Sequence, residues 1–162
     1  MRKATFLLSA AILASACSSI DCPLENTVSL SAGFYKPDGS PDTLRIDTLS
    51  ISTTRHDGND TVLINREVRA TGFQLPISSG SAADTFLLAL KDTLGRQSTS
   101  RIIINKTDQP HFESVDCKMS YFHTITNVSW DGPRIDSVSI TKQQVDYDAS
   151  SQHLHLYFKA LP

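Results

Sequence analysis

Hydrophobic and polar residues alternate along most of the chain with a period of two, the spacing of a half-buried β-strand. In the clearest case Val28, Leu30, Ala32 and Phe34 alternate with serine, glycine and tyrosine. The same pattern predicts nine strands in all, at 28–35, 48–52, 61–66, 73–77, 84–90, 101–105, 121–128, 137–141 and 153–158. Segments 86–90 and 102–104 are apolar on both faces, which predicts that they belong to central strands.

Turn-forming residues separate these segments. The pair Asp57-Gly58 lies between two predicted strands and favours a hairpin. Further turn signals stand at 37–39, 79–81, 94–95 and 131–133. Short strands at this spacing predict an all-β fold, a single immunoglobulin-like antiparallel β-sandwich over residues 27–162.

The N-terminus has the features of an export signal. Arg2 and Lys3 precede an uncharged, mainly apolar run over 4–16, which ends at Cys17. The small residues before Cys17 resemble the lipobox of bacterial lipoproteins, although Leu13 stands one position earlier than usual. The resemblance implies a signal peptide at 1–16, acylation of Cys17, and a short tether over 17–26. An ordinary secretory signal cut near Ala16 is the alternative.

Three cysteines constrain the redox chemistry. If Cys17 carries lipid, Cys22 and Cys117 remain, and an exported pair predicts a disulfide. A metal site built from His111, Cys117 and His123, which are evenly spaced, is the alternative.

Charge and motifs exclude several functional classes. The net charge is −2, and losing Arg2 and Lys3 with the signal peptide gives −4, so nucleic acid is not an expected partner. No nucleophile elbow, phosphate-binding loop, zinc-protease motif or dinucleotide fingerprint occurs, so no catalytic residue and no cofactor are predicted. An enzyme with an unrecognised pair of carboxylates stays open, as does a metal ion shared by His153 and His155.

Asp followed by Ser or Thr and an aliphatic residue occurs five times. This pattern looks like the acceptor motif of the general O-glycosylation system of Bacteroidetes, which modifies exported proteins. The candidate acceptors are Thr43, Thr48, Thr61, Thr93 and Ser137. The alternative is that Asp-Thr-aliphatic sequences simply begin strands; Thr43 and Thr93 look most loop-like.

Aromatic residues suggest one further site. Trp130 is the only tryptophan, and Tyr121 is close to it in sequence. If exposed, the two would form a ligand surface on which sugar rings stack. The alternative is a tryptophan in the sandwich core.

Four segments carry a family resemblance: 21–27 (DCPLENT), 63–67 (LINRE), 110–117 (PHFESVDC) and 122–125 (FHTI). They resemble a family of small Bacteroidetes lipoproteins of unknown function. The resemblance implies a lipid anchor, one domain and a Cys22–Cys117 bridge, but no activity.

We therefore expect an outer-membrane lipoprotein, facing the periplasm more than the cell surface. Its expected role is non-catalytic binding or assembly, with an envelope protein or a glycan as partner. Glycan or small-ligand binding through exposed aromatics is the second hypothesis.

Overall fold

The computed structural model describes residues 27–45, 47–54, 58–115, 117–148 and 150–159. Within these ranges the fold is all-β and contains ten strands. They are β1 (Ser29–Tyr35), β2 (Thr48–Thr54), β3 (Asp60–Val68), β4 (Gly72–Pro76), β5 (Ala83–Lys91), β6 (Gln97–His111), β7 (Ser120–Asp131), β8 (Ile135–Ile140), β9 (Gln144–Val145) and β10 (Leu154–Phe158).

The strands form two sheets. One has the order β4-β1-β10-β8, and the other has the order β3-β2-β5-β6-β7-β9. All pairs are antiparallel except β1 and β10, which run parallel with Ala32 opposite Leu154. The expectation of an antiparallel sandwich is therefore wrong for this pair: β10 lies between β1 and β8, and it runs antiparallel to β8 but parallel to β1.

A single hydrophobic core lies between the sheets. The inward residues of β1, Leu30, Ala32 and Phe34, pack in the same cluster as Leu49 and Ile51 of β2. Phe34 also makes an edge-to-face contact with Phe158, at 5.0 Å between ring centroids. The two sheets thus bury a shared apolar face, as the period-two pattern predicts.

The prediction that 86–90 and 102–104 belong to central strands is confirmed, since β5 and β6 occupy the middle of the six-stranded sheet. Two differences stand out. β6 continues to His111, well past the predicted end at residue 105, because β7 pairs with it over its whole second half. The two-residue β9 has no hydrophobic pattern of its own and forms by pairing with His123 and Thr124.

The sandwich has two ends, which matter for function. At the end that we call the Thr27 end, β1 begins, β4 finishes at Pro76, and β6 turns into β7. At the opposite end, the Lys36 end, β1 and β10 finish and β2 and β8 begin. The seven residues of β2 span the distance between them, about 23 Å.

The residues described by the structure include no helix able to cross a membrane.

Candidate functional site

A cavity of about 820 Å³ opens at the Thr27 end. Its floor is apolar and includes Leu63, Ile77 and Phe86. Its rim carries hydroxyl groups, from Thr53, Thr54, Ser78, Ser79, Ser81 and Thr85. The 77–82 loop, which joins β4 to β5, supplies half of these hydroxyls.

A buried lysine holds this loop in place. On the inner face of β6, Ile102 and Ile104 are followed by Lys106, whose side chain is completely buried. β5 begins opposite Asn105, so beyond Asn105 the neighbour of β6 on this side is the 77–82 loop and not a strand. The Lys106 ammonium donates to the carbonyls of Ser78, at 2.5 Å, and Ser81, at 2.8 Å.

Two carboxylates and a histidine complete the cluster. Asp108 Oδ1 lies 2.6 Å from Lys106 Nζ and 2.8 Å from His123 Nδ1, while Asp108 Oδ2 accepts from the Gly80 N–H at 2.6 Å. Asp84 lies 3.7 Å from the ammonium and accepts from the Ser78 hydroxyl. Burial opposes ionisation of Asp108, but the hydrogen bonds from Lys106, His123 and Gly80 outweigh it and lower its pKa to about 2.

The hydrogen bonds of this cluster fix the 77–82 loop against β6. The lysine donates to backbone carbonyls and to Asp108, and the Ser78 hydroxyl is bonded to Asp84. Removing one partner of such a buried, fully paired charge is strongly destabilising, so the cluster stabilises this part of the fold. The sequence signal for it is a lysine in register with two core isoleucines, which sequence reasoning missed.

The rim hydroxyls retain hydrogen-bond acceptor capacity. Thr53 donates to the Thr85 carbonyl, Thr54 donates to Asp60, and Ser81 donates to the Ala83 carbonyl. A hydroxyl that has used its one donor still has a lone pair to offer. The cavity therefore suits a ligand that brings donors of its own, such as sugar hydroxyls.

The predicted aromatic surface is divided between two places. Tyr121 and Trp130 are 36% and 38% exposed, near opposite ends of β7. Nine positions along a strand separate them by about 30 Å, too far for one sugar ring to touch both. Trp130 donates to the Asp136 carbonyl of β8 at 3.2 Å, a contact between the two sheets.

The alternative metal sites are not assembled. His111 stacks on Phe122 on the outer face of the six-stranded sheet, whereas His123 is buried on the inner face. His153 accepts a hydrogen bond from the Ser31 N–H, and His155 stacks on Tyr35, at 3.9 Å between ring centroids. Within the described ranges, no group of three potential metal ligands is found.

The predicted acceptor residues for O-glycosylation fall in different environments. Thr48, Thr61 and Ser137 lie in strands, and Thr43 and Thr93 lie outside them. Thr93 is exposed in the β5–β6 turn, whereas Thr43 is half-buried. Their modification stays a prediction, with Thr93 the most accessible of the five.

Cys17 and Cys22 lie outside the described residues. Cys117 is half-buried before β7, with its Sγ 3.3 Å from the Ser114 hydroxyl. Acylation and the Cys22–Cys117 bridge therefore stay predictions.

The loop between β6 and β7 exposes large apolar side chains at the Thr27 end. Phe112 is 61% exposed and Val115 is 86% exposed, with Met119 and Tyr121 close behind. Half of the large exposed hydrophobic residues in the described chain lie in this short stretch. Exposed apolar residues concentrated in this way are typical of interaction surfaces.

Comparison with known proteins identifies the class without an activity. Residues 48–158 match the model of a family of unknown function, DUF6452, and the chain belongs to that family. The cavity rim and floor lie inside the matched residues. No curated protein and no solved structure matches the chain.

Proposed function

We propose that this protein is a lipid-anchored, non-catalytic binding protein of the bacterial outer membrane, acylated at Cys17. It carries one immunoglobulin-like sandwich whose Thr27 end rests on the membrane, on the periplasmic side. The sequence resemblance to Bacteroidetes lipoproteins supports the anchor and the bacterial group.

The exposed apolar loop is the observation that carries this proposal. Thr27 lines a small cavity together with Ser120 and Tyr121, so the tether joins the domain beside the β6–β7 loop. Ten residues separate Cys17 from Thr27, a reach of about 35 Å at most. Phe112, Val115 and Met119 then lie within reach of the lipid headgroups, where apolar side chains gain by burial.

The same geometry supports the disulfide. Cys22 precedes Thr27 by five residues, and Cys117 precedes Ser120 by three. Since Thr27 and Ser120 line one cavity of about 250 Å³, a Cys22–Cys117 bridge needs no long excursion of the chain. The bridge would link the tether covalently to the β6–β7 loop.

The test is hydrogen exchange on the acylated protein in vesicles of phosphatidylethanolamine and phosphatidylglycerol, compared with the same protein in detergent. We expect the β6–β7 loop to exchange more slowly in vesicles. The turn at Leu94, which is 78% exposed at the Lys36 end, serves as the internal control and should not change. Equal exchange of the β6–β7 loop in vesicles and in detergent would contradict the proposed contact of the Thr27 end with the membrane.

A matched pair of variants separates the loop from the anchor. Replacing Phe112 and Val115 by serine should restore fast exchange of the loop while the acylated protein stays in the vesicle fraction. Replacing Leu94 and Val68, which are comparably exposed at the Lys36 end, by serine should change neither property.

Glycan binding in the hydroxyl-rimmed cavity is a second candidate function, favoured by the free acceptors on its rim. Ser79 is exposed on the loop, so Ser79→Trp fills the cavity without disturbing the core. On an array of neutral glycans, we expect binding by the native protein and by Thr99→Trp, on the outer sheet face, but not by Ser79→Trp. A blank array for the native protein would remove this candidate.

A further inference from the structure

A second cavity, of about 580 Å³, lies at the Lys36 end. Three segments meet there: the connection from β1 to β2, Arg134 before β8, and Lys159 after β10. Two of these segments are joined through their backbones, since Lys159 N donates to the Arg134 carbonyl at 2.9 Å. The third is held against β1, because Asp42 N donates to the Phe34 carbonyl at 2.8 Å. We propose that this cavity binds the phosphate group of a small ligand, a site separate from the one at the Thr27 end.

The cations of the cavity are available, whereas its carboxylates are already engaged. Lys36, Arg45 and Lys159 line it and are exposed, and none of them forms an ion pair within the described part of the chain. Asp38 accepts from the Ser40 N–H and hydroxyl, and Asp42 accepts from the Thr43 N–H. Besides the Asp47–Arg134 pair, three cations and two carboxylates line the cavity, so its formal net charge is +1.

An incomplete ion pair lies in the wall between the two sheets. Asp47 is buried, and its Oδ2 accepts from an Arg134 nitrogen at 2.8 Å. Asp47 Oδ1 and Arg134 Nε are also buried, and neither has a hydrogen-bond partner in the described chain. Unpaired buried polar atoms are costly, so a group that satisfies both gains free energy on binding.

Monohydrogen phosphate has the chemistry that these groups require. Its ionised oxygens accept from arginine and lysine, and its remaining hydroxyl is a donor for a carboxylate such as Asp47. Leu44 and Phe158 provide an apolar wall for the rest of the ligand.

The probe is inorganic phosphate, titrated by calorimetry into the acylated protein in detergent at low salt. We expect binding that weakens as salt is added, because the exposed cations are screened. The double variant Arg45→Gln/Lys159→Gln should bind at least about fivefold more weakly. Lys91→Gln, an exposed lysine outside the cavity, is the matched control and should bind like the native protein.

Two outcomes overturn the proposal: no heat of binding with phosphate or with vesicles, and equal losses in the double variant and in Lys91→Gln. Vesicles of phosphatidylglycerol, with phosphatidylcholine vesicles as the reference, distinguish the source of the phosphate. Free phosphate binding that depends on Arg45 and Lys159 assigns a soluble ligand. Binding to phosphatidylglycerol alone, with the same dependence, assigns a lipid headgroup.

Discussion

Lys106 places a charged amine where its neighbours on the same face of β6 are isoleucines. Its position is tolerated because two carbonyls and the Asp108 carboxylate accept hydrogen bonds from the ammonium. The hydrogen bonds from Lys106 thus fix the 77–82 loop, which forms one wall of the larger cavity.

Replacing Lys106 by methionine keeps the length of the side chain and removes the charge. We expect the free energy of unfolding to fall by about 3 kcal/mol, because Asp108 and two carbonyls lose a buried partner. Arg96→Met removes an exposed cation paired with Asp92 and should leave stability nearly unchanged. Chemical denaturation measures the free energy of unfolding of both variants. Equal stability of Lys106→Met and native protein would show that Lys106 does not stabilise the fold.

His153 makes the stability depend on pH. Its Nδ1 accepts from the Ser31 N–H at 2.9 Å, so the buried ring is neutral. Burial lowers the pKa of His153 below its usual 6.5, and Lys142 nearby lowers it further, against an opposing effect of Asp146. The neutral ring therefore stabilises the fold fully above pH 6.5, and this contribution is lost as the pH falls through the lowered pKa.

His153→Asn keeps a side-chain acceptor at the δ position but does not titrate. We expect the free energy of unfolding of the native protein to decline more steeply below pH 6.5 than that of the variant. Parallel pH profiles for the two proteins would show that His153 does not carry the effect.

At the scale of elements, the connection from β7 to β8 carries the chain from one sheet to the other. Gly132 has a φ of 113°, and a Cβ there would lie 2.6 Å from Ser100 Cα. The same connection places Arg134 beside Asp47, 87 residues earlier in the chain. A close backbone approach thus supports one wall of the phosphate cavity.

Gly132→Ala and Gly95→Ala test that approach. Both glycines have positive φ, but a Cβ on Gly95 meets nothing within 4 Å. Backbone strain should therefore cost each variant about 1–2 kcal/mol, and the clash with Ser100 should cost Gly132→Ala a further ~1–3 kcal/mol. Thermal denaturation measures the stability that each variant loses. Equal losses for Gly132→Ala and Gly95→Ala would show that the close approach to Ser100 adds no cost.

The strands that sequence reasoning predicts are those with an apolar face. β5 and β6 follow from segments 86–90 and 102–104, whose apolar residues occupy both faces. β9 and the second half of β6 lack that signal, since residues 107–111 are mostly polar and include Pro110. Their strand geometry comes from pairing with β7, which no local pattern encodes.

The sites are harder to predict than the strands. Lys106 donates hydrogen bonds to carbonyls of a loop about 25 residues earlier in the chain. Asp47 accepts a hydrogen bond from Arg134, which precedes a strand of the other sheet. Which residues become partners depends on the topology of the fold. The alternation of hydrophobic and polar residues does not predict that β1 and β10 pair in parallel. Sequence reasoning instead placed its candidate ligand surface on Tyr121 and Trp130.

At the scale of the whole molecule, the two ends differ in chemistry. The Thr27 end combines an apolar loop with the attachment point of the tether, and the Lys36 end combines exposed cations with a cavity. In the proposed account the first end faces the lipid and the second end faces the aqueous compartment. A domain held this way presents its phosphate cavity away from the membrane.

Anchoring at Cys17 is the central claim, and intact and peptide mass spectrometry of protein from its native membrane tests it most directly. The account predicts a mature chain that begins with acylated Cys17, and a crosslinked Cys22–Cys117 peptide that appears only without reductant. The same spectra would show any hexose on Thr93. A mature chain without lipid, beginning at or after Cys17, would contradict the account and indicate a secreted protein.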